Sequence, residues 1–249
     1  MAERMNAIRI NKYLAQCGIC SRRDADLLIQ AGRVSLNGIL AQNGDRITRE
    51  DQVLVDGKLV DGSCCFEKSN TVVLAYYKPI GVVCTERDEH AKKKVTDEIQ
   101  YTVRVTYAGR LDKDSEGLLL LTNDGNLINH MMRGANLHEK EYVVKLDRRI
   151  KDEDLNKLRN GIYLKELKQT TRPCKVDKIG PYTIKIVLTQ GLNRQIRRMC
   201  QTLHYEVKSL KRIRVMSVEL GNLKPGEYRE LSQEEIKELW GDDRHDRHE

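Results

Sequence analysis

Apolar positions recur at helical spacing near the start of the chain. Ile10, Tyr13 and Leu14 fall on one face, and Gly18 ends the helix they predict. Ser21-Arg22-Arg23-Asp24 then fits a capping box, in which the Ser oxygen and the Asp carboxylate each take an early backbone N–H. Ala25, Leu28 and Ile29 continue an apolar face, and Gly32 stands where a helix ends. Val34-Ser35-Leu36 reads as a short strand running into the Asn37-Gly38 turn, and Val53-Leu54-Val55 as another running into Asp56-Gly57. Residues 7–60 therefore read as one small module of two helices and short hairpins.

From Thr71 onward strands dominate. Residues 72–76, 118–121, 142–146, 183–188 and 215–220 are rich in β-formers, while 151–159 and 193–204 read as helices. Strands separated by helices without a regular βαβ rhythm predict an α+β fold with a mixed, largely antiparallel sheet. The division expected is 1–62 for the first domain, 63–70 for a linker, 71–240 for the second domain and 241–249 for a frayed tail.

Charge changes this picture more than composition does. The formal net charge is +7, but residues 227–249 hold 4 basic against 9 acidic side chains, so the remainder is strongly basic. Such a body suits a polyanionic partner, because phosphates attract Lys and Arg whatever the base sequence. Residues 1–10 lack the apolar stretch of an export signal, and the longest purely aliphatic run is residues 118–121, far short of a membrane span. A cytoplasmic protein that engages no membrane is the expectation. The seven Cys read as reduced thiols. Cys17, Cys20, Cys64 and Cys65 have poor spacing for zinc and no flanking His, so no metal site is expected.

Three stretches carry candidate chemistry. Residues 191–214 hold seven basic side chains against Glu206 alone. If Ile196, Met199, Cys200, Leu203 and Val207 form one helical stripe, Arg194, Arg197 and Arg198 point outward, with Lys208, Lys211, Arg212 and Arg214 beside them. Gly109-Arg110-Leu111-Asp112-Lys113-Asp114-Ser115-Glu116-Gly117 is a polar loop leading into the aliphatic run. Its acids, Asp112, Asp114 and Glu116, are equivalent on chemistry alone. Tyr77-Lys78-Pro79-Ile80-Gly81-Val82 is a defined bend after a strand.

These pieces together resemble the RsuA/RluB/RluE/RluF family of ribosomal RNA pseudouridine synthases. The resemblance is carried by Lys78-Pro79-Ile80-Gly81, by residues 109–125, by Lys140-Glu141-Tyr142 and by Gly191-Leu192-Asn193-Arg194-Gln195-Ile196-Arg197-Arg198-Met199. Asn11-Lys12-Tyr13-Leu14-Ala15, Ser21-Arg22-Arg23, Gly32-Arg33-Val34 and Asn37-Gly38 make the front module similar to an S4 RNA-binding domain. Within the family, residues 191–199 and Tyr205-Glu206-Val207-Lys208 stand nearest the RluF branch, whose substrate is 23S ribosomal RNA. With its acidic and His-containing tail, the chain is not expected to carry the basic C-terminal extension of some members.

The resemblance implies isomerisation of uridine to pseudouridine by one Asp, with no metal or cofactor. It makes Asp112 that residue, pairs Arg197 with it, and stacks Tyr142 on the target base. Arg110 is implied to help extrude the nucleotide from its stack. Lys12, Arg22, Arg23, Arg33, Lys78, Arg194 and Arg198 are the further RNA contacts expected, in a monomer. Rival readings are the same chemistry on small-subunit or transfer RNA, a non-catalytic ribosome-assembly protein of the S4 type, and a glycosidase using Asp112 and Glu116. The first rival turns on which RNA reacts, and the second predicts that Asp112 is dispensable. The third needs a sugar cleft rich in aromatics, which 5% aromatic content fits poorly.

Overall fold

The computed structural model describes residues 7–62, 71–85, 93–133 and 137–241. The expected linker at 63–70, the tail from 242, and Cys64 and Cys65 lie outside the described residues. The chain divides into two compact units, Met1–Thr71 with Thr102–Arg104, and Val72–Tyr101 with Val105–Glu249.

The first unit runs β1 (Ile8–Arg9), α1 (Ile10–Gln16), α2 (Arg22–Gln30), β2 (Val34–Leu36), β3 (Ile39–Leu40), β4 (Arg46–Ile47), β5 (Val53–Val55) and β6 (Lys58–Leu59). Ile10, Tyr13 and Leu14 of α1 meet Ala25 and Ile29 of α2 and Val34, Ile47 and Val53 of the strands in one buried core. Asn37 and Gly38, like Asp56 and Gly57, all take positive φ, which is what a two-residue hairpin turn demands. These turns join β2 to β3 and β5 to β6 in a four-stranded sheet ordered β3-β2-β5-β6. The box at Ser21 is half made: its Oγ accepts the Asp24 N–H at 3.2 Å, and its hydroxyl donates to the Asp24 carboxylate at 2.6 Å.

The second unit comprises β7 (Val73–Lys78), α3 (Val95–Glu98), β8 (Thr106–Tyr107), β9 (Glu116–Thr122), α4 (Gly125–Met132), β10 (Lys140–Leu146), α5 (Asp152–Asn160), β11 (Tyr163–Leu164), β12 (Gln169–Thr170), β13 (Lys175–Gly180), β14 (Thr183–Leu188), α6 (Gln195–Thr202), β15 (Val207–Val215), β16 (Val218–Glu219), β17 (Tyr228–Glu230) and α7 (Gln233–Trp240). Its sheet is ordered β13-β14-β10-β15-β9-β7-β17, with β8 on β9 and β16 on β15. Every pair is antiparallel except β15 with β9. The fold is thus α+β, with the mixed, largely antiparallel sheet expected.

Both faces of the central strands are covered, so their sequences are continuously apolar rather than alternating. Val73, Ala75, Leu118 and Leu120 pack against Leu127 and Met131 of α4 and Ile236 and Leu239 of α7. Leu74, Tyr76, Leu119 and Leu121 face the other way, toward Val82, Val95 and Leu111. A third core joins β10, β13 and β14 to α5 and α6 through Val144, Val176, Ile184, Leu155, Ile196 and Met199.

Two expectations are corrected. Val207 does not extend the apolar stripe of α6, because the helix ends at Thr202 and Val207 opens a nine-residue strand. The strand expected at 215–220 is the end of β15, a turn at Met216 with positive φ, and the short β16. Among the described residues no helix is long and apolar enough to cross a membrane.

Candidate active site

The loop before β9 is fixed from both sides. Ser115 donates its N–H to the Asp112 carbonyl at 3.0 Å, closing a turn, and Gly81 donates to the Lys113 carbonyl at 2.8 Å. Arg197 of α6 donates to the Asp114 carbonyl at 2.8 Å and to the Val207 carbonyl at 3.2 Å. Loop, helix and strand are thereby tied around a cavity of roughly 590 Å³. Asp112, Arg110, Tyr142, Lys140, Arg194 and Arg212 all line it.

Tyr142 on β10 packs where two apolar cores meet, which fixes its ring in the cavity wall. Asp112 is about one third exposed, with a side-chain exposure of 35%. Arg110 and Arg194 are exposed at the cavity mouth. Arg194 carries positive φ just ahead of α6, and its guanidinium lies 3.4 Å from Asp114 and 3.9 Å from Asp112.

The expected pairing of Arg197 with Asp112 is not made. Its Nη atoms are held by main-chain carbonyls, its Nε is buried without a partner, and the cation nearest Asp112 is Arg194. Nor do Arg197 and Arg198 point outward. Arg198 donates to the Asn193 carbonyl at 3.0 Å and ion-pairs with Glu166. Lys78 departs furthest from its expected role as an RNA contact. It is fully buried, and its ammonium donates to the Pro79 carbonyl at 2.8 Å and the Val82 carbonyl at 2.9 Å. Burial holds its pKa below the ordinary lysine value, while Asp112 and Asp114 pull the other way. Here Lys78 shapes the bend that supplies Gly81 to the Asp112 loop.

In the first unit Arg22 and Arg23 are exposed at the start of α2, and Lys12 is half-buried on α1. Arg33 is exposed but held in a two-pronged pair with Asp56, at 2.7 and 2.5 Å. That pair raises the Arg33 pKa and lowers that of Asp56.

Several cavity residues have no site role in the sequence reading: Cys84, His138 and Arg172, together with Lys140 and Arg212, which it names only within a motif and a basic run. Burial pushes the Cys84 thiol up, tempered by a hydrogen bond from the Leu111 N–H. Lys140 is held below its ordinary value, first by burial and then by Arg212. The motif containing Lys140 was the available signal for that residue; Arg212 had none beyond its place in a basic run. Among the described residues no group of three or more His, Cys, Asp or Glu gathers as a metal site.

Residues 72–202 match the family described as RNA pseudouridylate synthase, and residues 8–53 match the S4 domain. The chain belongs to the RNA pseudouridylate synthase family and is an RNA pseudouridine synthase with an S4 domain at its front. It is 43% identical over 235 residues to the dual-specificity RNA pseudouridine synthase RluF of Escherichia coli (strain K12), covering 94% of this chain and 79% of that protein. It is 37% identical to the ribosomal large subunit pseudouridine synthase B of Bacillus subtilis (strain 168), across 93% of this chain and 95% of that one. A solved pseudouridylate synthase superposes with a TM-score of 0.67 at 28% identity, covering 93% of this chain and 99% of that structure.

Proposed function

We propose that this chain converts a uridine of large-subunit (23S) ribosomal RNA to pseudouridine, with Asp112 as the catalytic carboxylate. The observation that carries the reading is that Asp112 and Tyr142 line one cavity with the exposed cations Arg110 and Arg194 at its mouth. A uridine inside a helix hides its glycosidic bond, so the nucleotide enters the cavity extruded from its stack. Arg110 assists that extrusion and Arg194 meets the backbone. Tyr142 stacks on the base and holds it while it turns. Asp112 offsets the electron deficiency that develops at the sugar carbon when the bond to N1 breaks. Arg197 acts as a positioning residue, clamping the Asp112 loop through its main chain.

The choice of large-subunit RNA is supported by the Bacillus subtilis relative, whose name specifies that subunit. The Escherichia coli relative is named as dual-specificity, which favours acceptance of a second RNA by this chain as well. The test is tritium release from 23S, 16S and transfer RNA labelled at uridine carbon 5, since forming the carbon–carbon bond there expels the label. Release from 23S RNA is expected. Release from 16S or transfer RNA alone would overturn the substrate assignment.

The S4 unit serves as an RNA grip. Arg22 and Arg23 are exposed at the N-terminus of α2, where the helix dipole also favours anions. Changing both to Ala should weaken RNA binding and flatten its salt dependence by about 1.4 to 1.8 in log–log slope, the loss of two phosphate contacts. Filter binding across a salt series measures this, and an unaltered slope rejects the grip.

A further inference from the structure

Arg212 is 3% exposed, yet it lines the cavity. It sits on β15 with Tyr142 beside it on β10 and Gly117 beside it on β9. Its Nε donates to the Leu118 carbonyl at 2.6 Å. Among the described residues that is the one hydrogen bond of its guanidinium, and no carboxylate lies within ion-pair distance of it. A guanidinium has five N–H donors, so four remain for something else. A buried cation without a counter-charge is costly to hold, and Lys78 and Lys140 nearby add to that field. The exposed cations of the cavity, Arg110, Arg172 and Arg194, are a separate set. Arg212 therefore meets a part of the substrate that goes in deep, and in an extruded nucleotide that part is the base.

We propose that Arg212 is a catalytic residue that donates to a carbonyl oxygen of the target uracil and stabilises the uracil anion formed during the reaction. The inference rests on the reading of the cavity given above. The bond from N1 to the sugar carbon breaks with its electron pair staying on the base. The resulting charge spreads over N1 and the ring carbonyl oxygens, where a fixed guanidinium holds it more strongly than it holds the neutral base. After rotation the ring's electrons form the bond from carbon 5 to the sugar carbon, the proton of carbon 5 passes through a base to solvent water, and N1 takes up a proton from water, so that the product is an isomer of the substrate. Arginine suits this role better than lysine because it stays protonated.

The test uses the full chain with 23S RNA labelled with tritium at uridine carbon 5. Single-turnover release, RNA affinity and thermal melting are measured for the native protein, Arg212→Met and Arg212→Lys. Arg212→Met should release tritium on the order of 100- to 1,000-fold more slowly at saturating RNA, as for loss of one preorganised donor to a developing anion. Its RNA affinity should hold, and Arg212→Lys should recover part of the rate. Native-speed release by Arg212→Met overturns the proposal. So does a deficit that vanishes at saturating RNA, because that would make Arg212 a phosphate contact. If Arg212→Met does not fold, Arg212→Lys decides: slower release at unchanged affinity supports the role, and native speed overturns it. A native protein that releases no tritium overturns the underlying reading as well; a native protein that does, beside an unimpaired variant, overturns this inference alone.

Discussion

Asp112→Asn should abolish tritium release from RNA while leaving the protein folded and able to bind. The expected loss is about 10⁴-fold or more, the scale seen when a group acting directly on the reacting atoms is removed. Stability sets the contrast. The side chain is about one third exposed, and its nearest cation, Arg194, is 3.9 Å away and itself 41% exposed. A screened surface pair of that kind contributes under about 1 kcal/mol. The turn is closed by the Asp112 carbonyl rather than the carboxylate, so Asn preserves it. Unfolding therefore cannot mimic the loss, and melting should move by a degree or two at most. Release within tenfold of native by a folded Asp112→Asn protein would refute the central assignment. Asp114→Asn is the matched control. Its carbonyl holds Arg197 and its carboxylate meets Arg194 at the surface, so a modest effect is expected.

Much of this architecture can be read from residue order because local chemistry and tertiary demand agree. Asn37-Gly38 and Asp56-Gly57 declare hairpins, and positive φ is found at all four residues. Residues 118–121 declare a buried strand, and it lies at the centre of the sheet, covered on both faces. Where one residue pair serves two structures, the reading fails. Asp-Gly is a pair common in turns, yet the Asp124 carboxylate accepts the Asn126 and Leu127 N–H groups and begins α4 at Gly125. α7 had a usable signal in Ser232 and Glu235, which form a complete capping box.

The basic stretch was misread for a physical reason. β15 does not alternate cleanly, because its register against β10 shifts between Glu141 and Tyr142 and again between Lys145 and Leu146. Those irregularities break the period of two by which a strand is recognised. Arg212 then occupies an inward position, where a charged side chain is the least expected occupant. A run of Lys and Arg thus looks like a solvated face when one of its members lies at the cavity. The same limit applies to Arg197: its spacing from Asp112 says nothing of whether guanidinium meets carboxylate or main chain. That depends on how β15 and the loop before β9 align.

That alignment is also where the fold should be most fragile. Gly117→Ala is expected to destabilise the second unit by about 3 kcal/mol or more, combining backbone strain with a steric clash. Gly117 has a φ of +105°, which side-chain-bearing residues rarely adopt. A Cβ there would overlap the Arg212 carbonyl oxygen and lie 2.8 Å from its amide nitrogen. Both obstacles are backbone atoms of the one parallel strand pair in the sheet, so no side-chain rotation relieves them. Relief requires β15 to move away from β9, carrying with it Arg212 and the paired strand β10 that holds Tyr142. Urea unfolding measures the cost, and Gly125→Ala supplies the comparison. Gly125 opens α4 with nothing near its missing Cβ, so Ala there should change stability by about 0.5 kcal/mol or less. A Gly117→Ala protein as stable as Gly125→Ala would mean that β9 and β15 are not packed as closely as their register requires. A destabilised but folded Gly117→Ala protein should also release tritium slowly at saturating RNA, because the strand that carries Arg212 has shifted.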